Sequence, residues 1–340
     1  MFRTLIKASV AAAAVLAMAG YAGAQEYSFR FQSSDPAGNP NFEYQKGWTD
    51  LVKEKSGGKI TIELLPTGSV VEYNETLDAV AAGIIDGQIC DSSYWAGKDP
   101  AFGLIANPVG AWSDPAQMID FVENGGGKEI MQELLGSYGL HFIGVSTPGL
   151  EAFVSRKPLD GVDDLKGLKM RSPEGPIANV FAAAGAAPVN LPSSEVFTSL
   201  DKGVVDAADY SVFSVNQQQG LNEIAPNPVY PGFHSLPLVE VSMNQGKWEA
   251  LPDDLKALME ETVKEFQQTQ VKGNMEADLK AVEEAKADPK ITIHDWSAEE
   301  RAKFRKLGQA EWKTIAAQSP MAQKVYDTLT AYLTEKNLLQ

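Results

Sequence analysis

Residues 27–34, YSFRFQSS, set Tyr27, Phe29 and Phe31 in alternation with polar neighbours, the period of a half-buried strand. The same period returns in KITIELLPTG (59–68), where Ile60, Ile62 and Leu64 alternate until a Pro-x-Gly stop. Between them residues 41–56 carry Phe42, Trp48, Leu51 and Val52 near helical spacing, and Gly57-Gly58 ends the run. A helix over 73–82 and a strand over 84–93 follow. Residues 27–93 therefore read β-α-β-α-β, the unit that builds a parallel sheet through right-handed crossovers.

A second block repeats this grammar. Helices over 115–123 and 127–138 lead to a strand at 140–145, and strands are expected at 151–156, 168–171, 187–192 and 204–211. Helices over 175–185 and 193–201 alternate with the last three. Residues 235–244 read as a strand returning to the first block. From Asp253 the apolar positions Leu255, Leu258, Met259, Val263 and Phe266 form one stripe, and the helical pattern persists to about Ala287 with Gly273 as a weak interruption. At 1.5 Å per residue such a helix runs roughly 50 Å, long enough to cross two domains. The fold class is α/β, in two blocks with several chain crossings and a cleft between them.

With 340 residues, 44% hydrophobic and 22% charged, the chain suits two domains of ordinary size. Its formal charge of -16 argues against nucleic acid as a partner, because phosphate binding needs a basic footprint. Residues 1–24 stand apart. Arg3 and Lys7, the apolar run ASVAAAAVLAMAG and the small residues Ala22-Gly23-Ala24 read as a secretory signal cut after Ala24. Cys90 is the single cysteine, so no internal disulfide is possible, and export without one fits a bacterial periplasm.

Catalytic signatures are missing. GVSTPG (144–149) lacks the second glycine of a nucleophile elbow, and GGGK (125–128) reads as the end of one helix and the start of another rather than a phosphate loop. His141, His234 and His294 have no spacing that suits a transition metal. Clusters at strand ends are more informative, since ligands of open α/β sheets sit beyond the carboxyl ends of the strands. SSYWAGKDPAF (92–102) offers Tyr94 and Trp95, DAADYSVF (206–213) offers Asp209, Tyr210 and Phe213, and YPGFHSLP (230–237) offers Phe233 and His234. Each set alone reads equally well as packing; together they outline a pocket.

Residues 164–210, DLKGLKMRSPEGPIANVFAAAGAAPVNLPSSEVFTSLDKGVVDAADY, resemble the solute-binding proteins of TRAP (tripartite ATP-independent periplasmic) transporters. The family's Lys-Gly-Leu-Lys-x-Arg strand is matched at 166–171 and its Gly-Ala-x-Pro-Val strand at 185–189. Its Glu-Val helix start falls at 194–200 and its Gly-Val-Val-Asp at 203–206. The resemblance implies a two-lobed periplasmic binding protein with hinge strands and a long C-terminal helix spanning both lobes. Lobe I would take 25–150 and about 240–290, and lobe II would take 151–239 with the C-terminal helices. It also implies a receptor, monomeric in the simplest case, that closes on a small organic anion and delivers it to the membrane subunits of a TRAP permease.

In the family the arginine of the Lys-x-Arg strand pairs with the substrate carboxylate, and its match here is Arg171. A guanidinium fork suits that role, since it binds a carboxylate bidentately and stays charged in a closed cleft. The turn at 229–237 and the aromatic loop at 94–102 are similar to the branch for keto acids and aromatic acids. The resemblance then implies an apolar wall of Tyr94, Trp95, Tyr210, Phe213 and Phe233, with polar selection by Glu151, Asp209 and His234. Some members of that branch hold a metal ion through a Glu-Trp pair and a Gln. Here Asp209-Tyr210 and Glu151 stand in those places, and sodium or calcium could use the two carboxylates, although no cofactor is required. A carboxylate there could equally bond a ligand hydroxyl or ammonium. The rival readings are a periplasmic enzyme, for which a nucleophile–base pair is lacking, and the binding protein of an ATP-driven importer.

Overall fold

The computed structural model describes residues 26–173 and 175–339, so the expected secretory signal lies outside the described residues. Among these residues the strands are β1 (Tyr27–Ser33), β2 (Ile60–Leu65), β3 (Gly87–Asp91), β4 (Leu140–Ser146), β5 (Ala152–Ser155), β6 (Lys169–Ser172), β7 (Ala187–Asn190), β8 (Ala207–Ser211) and β9 (Val239–Asn244). They form two sheets, ordered β2-β1-β3-β9-β4 and β5-β8-β6-β7. β2, β1 and β3 run parallel, joined by the helices Pro40–Lys55 and Thr76–Ala81 as the β-α-β-α-β reading expects. β9 returns from the second block and enters antiparallel between β3 and β4. Its core face, Val239, Val241 and Met243, packs with Phe31, Trp48, Ile89 and Val263.

The chain passes between the sheets at 147–151 and 235–238, and these crossings are tied together where the Glu151 N–H donates to the Ser235 carbonyl at 2.9 Å. The long helix is Asp253–Ala287, 35 residues, with Pro252 at its N-cap. It lies on the helix Pro40–Lys55 and β4 in the first lobe and on the helix Phe213–Gln218 in the second. Gly273 does not interrupt it. A Cβ there would sit 2.1 Å from the Tyr44 hydroxyl, so the glycine allows close helix packing.

The C-terminal helices differ from the expected division. Ala298–Ala316 lies against the helix Pro176–Ala183 of the second lobe and also against Pro100–Ala106 of the first. Pro320–Glu335 packs only within the first lobe, where Ala322, Val325, Leu329 and Leu333 join the core around Phe102 and Leu135. Its apolar stripe finds a hydrophobic face there, and the chain thus crosses back to the first lobe. Gly125 and Gly126 separate the helices Pro115–Asn124 and Gly127–Gly136, as the GGGK reading expects. His141 stacks on Trp248, ring centres 4.1 Å apart, and is a packing residue.

The lobes meet across the cleft. Asn39 Nδ2 donates to Tyr210 Oη at 3.3 Å, Asn41 Nδ2 to Ser211 Oγ at 3.2 Å, and Tyr73 Oη to Asn190 Oδ1 at 3.3 Å. No helix among the described residues is long and apolar enough to cross a membrane.

Candidate functional site

A cavity of about 60 Å³ lies between the lobes, beyond the carboxyl ends of β1, β3, β6 and β8. The first lobe contributes Asp35, Asp91 and Tyr94, the second Arg171, Asp209 and Tyr210, and Glu151 enters from a crossing strand. This is where the topology of an open α/β sheet puts a ligand.

Arg171 comes from β6, where alternation sends Met170 into the second-lobe core and the guanidinium towards the cleft. It is 4% exposed. Its Nε donates to the Leu191 carbonyl at 2.9 Å and its Nη1 to the Asp209 carbonyl at 2.7 Å. Tyr94 faces it across the cavity from the other lobe. Two main-chain acceptors thus hold the fork in place, and a guanidinium has further N–H groups to offer an anion.

Behind Arg171 lies a second constellation. Glu151, Asp209 and His234 are all buried, with ligand atoms within 4.8 Å of one another. His234 Nε2 lies 2.7 Å from Asp209 Oδ1, and Ser235 Oγ donates to Glu151 Oε2. Burial, then the neighbouring Asp209, pushes the Glu151 carboxyl well above the carboxylate range. Burial also pushes Asp209 up, but the His234 hydrogen bond and the charges of His234 and Arg171 outweigh it and hold Asp209 below its ordinary value. The pair therefore keeps one proton on Glu151 and one negative charge on Asp209. Two adjacent buried carboxyls with one net negative charge offer oxygen ligands for an ion such as sodium or calcium, which would replace the proton. His234 holds Asp209 from the side away from the cavity, and does not itself line it.

Five of the nine candidate residues line the cavity: Tyr94, Glu151, Arg171, Asp209 and Tyr210. His234 acts through Asp209. Of the expected apolar wall, Tyr94 and Tyr210 line the cavity, while Trp95, Phe213 and Phe233 do not. Trp95 is 1% exposed and meets Phe102 edge-on at 5.6 Å, because the turn Ser92–Trp95 sends neighbouring side chains apart. Phe213 packs edge-on against Tyr230 and beside Ala281 and Val282 of the long helix, and Phe233 stacks on Trp296 at 3.9 Å. Sequence reasoning missed Asp35, Asp91, Asn39, Asn41, Asn107 and Gln270, all of which line the cavity. Asp35 lies two residues past β1 and Asp91 is the last residue of β3, so the strand-end rule that found Tyr94 would have found them too.

The family model for bacterial extracellular solute-binding protein, family 7 (DctP), matches residues 31–319. The chain belongs to this family. Family 7 resemblance extends to solved TRAP proteins. An apo, open crystal structure of a TRAP periplasmic solute-binding protein from Rhodobacter sphaeroides is 71% identical, covers 92% of this chain and 99% of its own, and has a TM-score of 0.76. A TRAP periplasmic solute-binding protein from Pseudoalteromonas atlantica with bound sodium and pyruvate is 25% identical, covers 92% and 95%, and has a TM-score of 0.82. The monocarboxylate 2-oxoacid-binding periplasmic protein of Nostoc sp. is 29% identical over 239 residues, 70% of this chain and 65% of that relative. The match thus spans just under two thirds of that relative's length.

Proposed function

We propose that this family 7 protein is the periplasmic receptor of a TRAP transporter. It captures a small organic acid, a monocarboxylate of the keto, hydroxy or aromatic class, and delivers it to the membrane permease subunits. The observation that carries this reading is Arg171, a buried guanidinium held by main-chain carbonyls and aimed into a cavity between two lobes. In a closed, poorly hydrated cleft such a fork binds a carboxylate far more strongly than in water. The cavity volume supports a small solute. At roughly 10–15 Å³ per water-sized position, about 60 Å³ holds about four to six such positions, closer to a three- or four-carbon acid than to an aromatic ring.

The open form of the 71%-identical relative supports a clamp mechanism. The interlobe bonds of Asn39, Asn41 and Tyr73 form only when the lobes meet. Closure would bring Tyr94 onto Arg171 and seal the anion from water. Where a sodium or calcium ion accompanies the acid, Glu151 and Asp209 would hold it, and the ion would supply positive charge beside the ligand's oxygens. Nothing in this role requires bond making or breaking.

Isothermal calorimetry with the acid that most raises the melting temperature tests the reading. Arg171→Ala is expected to weaken binding by ~100-fold or more, the cost of removing one partner of a buried charge pair, while Arg171→Lys recovers part of the loss. Unchanged affinity in Arg171→Ala would overturn the assignment.

A further inference from the structure

The cavity wall is asymmetric. Arg171 is the only Lys or Arg among the described residues that line it, and it comes from the second lobe. The first-lobe wall brings two carboxylates, Asp35 and Asp91. Ser33 pairs with Ile89 in parallel β1 and β3, and two residues further on Asp35 lies just past β1 while Asp91 ends β3 opposite Val239, so both stand at the same edge of the sheet. Asp35 Oδ2 accepts from Gln45 Nε2 at 2.8 Å, and Asp91 Oδ1 accepts from the Ser93 N–H at 2.8 Å. A carboxylate has about four lone-pair sites, so each retains acceptor capacity. Burial pushes both carboxyls up to about 6, and Asp91 adds to the shift of Asp35.

Asn107 points to a ligand independently. It lines the same cavity and is 1% exposed, and its Oδ1 is buried without a hydrogen-bond partner. Its Nδ2 donates to Ser235 Oγ at 2.7 Å, while the single Ser235 proton goes to Glu151. Ser235 therefore demands an N–H from the amide, which fixes Oδ1 as the atom left to accept. A buried acceptor without a donor costs about 1–3 kcal/mol, so the site favours a solute that supplies one.

Building on the receptor reading, we propose that the solute is a small acid that also carries a hydrogen-bond donor, a hydroxyl or an ammonium. Asp35, Asp91 and Asn107 accept from that group while Arg171 takes the carboxylate. A simple 2-oxo acid brings acceptors alone and leaves this wall unmatched. Sites that bond a substrate hydroxyl or N–H discriminate strongly against analogues without it.

The test is calorimetry on the mature full-length chain with propanoate, pyruvate, lactate, 3-hydroxypropanoate, alanine and β-alanine, each with calcium, with sodium and after chelation. At least one donor-bearing acid is expected to bind ~10-fold or more tightly than both propanoate and pyruvate, and the hydroxy and amino arms identify which donor is used. Asp91→Asn and Asp35→Asn are expected to shrink that advantage, read within each variant as the ratio of the affinity for the donor acid to that for propanoate, with circular dichroism confirming the fold. Propanoate or pyruvate binding as tightly as the best donor acid overturns the inference, as does an unchanged ranking in both variants. A preference for pyruvate that Arg171→Ala abolishes overturns the donor assignment alone. Failure of all six acids to bind overturns the receptor reading with it.

Discussion

Glu240 shows what one buried carboxyl does to this molecule. It sits on β9 inside the first lobe, fully buried, and accepts from Gln88 Nε2 at 2.7 Å. Burial is the main cause that pushes its carboxyl up from 4.5 to about 8. A raised value means that the native state holds the proton. The associated stability is fully present below the ordinary carboxylate range and is lost as pH rises towards about 8. Glu240→Gln, neutral at every pH, is expected to raise the melting temperature at pH 8 and to reduce the fall between pH 5 and pH 8. Thermal melts at those two values check this, and an unchanged slope contradicts it. At the site, Arg171 and Glu151 were legible through the resemblance to TRAP solute-binding proteins, and Asp209 through its place at a strand end. Trp95, Phe213 and Phe233 misled. An aromatic side chain fits a core as readily as a pocket, and the turn decides which.

Elements were easier to read than side chains. Alternation located β1 and β2, and the stripe from Leu255 to Phe266 located the long helix, since each period is set by backbone geometry. The strand expected over 235–244 begins only at Val239, because residues 235–238 form the crossing between lobes. The final helix, expected with residues 151–239, packs in the core around Phe102 and Leu135. Its stripe announces a buried face but not which of two cores receives it. The turn at 230–234 depends on contact that no local pattern reveals. A Cβ on Gly232 would lie 2.0 Å from the Glu151 carbonyl oxygen, and neither backbone has room to yield. Gly232→Ala is expected to destabilise the protein by about 1–3 kcal/mol and to displace His234 from Asp209. Denaturant titration and ligand affinity would both register it. A variant with native stability and affinity would show that the turn is not built on this contact.

At the scale of the molecule, two sheets, two helices that touch both lobes and a polar seam suit the proposed clamp. The seam is made of modest bonds, each worth about 0.5–1.5 kcal/mol net, so closure without a ligand has little to hold it. On the proposed reading, an anion held by Arg171 in the cavity that both lobes line would add the missing attraction. The two-lobed plan was legible because its strand and helix grammar repeats. The closed seam was not, since Asn39, Asn41, Tyr73 and Tyr210 become partners only in three dimensions. The most direct measurement of the central claim is small-angle scattering of the wild type and of Arg171→Ala, each with and without the acid that binds best. The expected result is a smaller radius of gyration on adding the acid to the wild type and no change in the variant. Tight binding by the wild type with no contraction, or the same contraction in Arg171→Ala, would contradict the account.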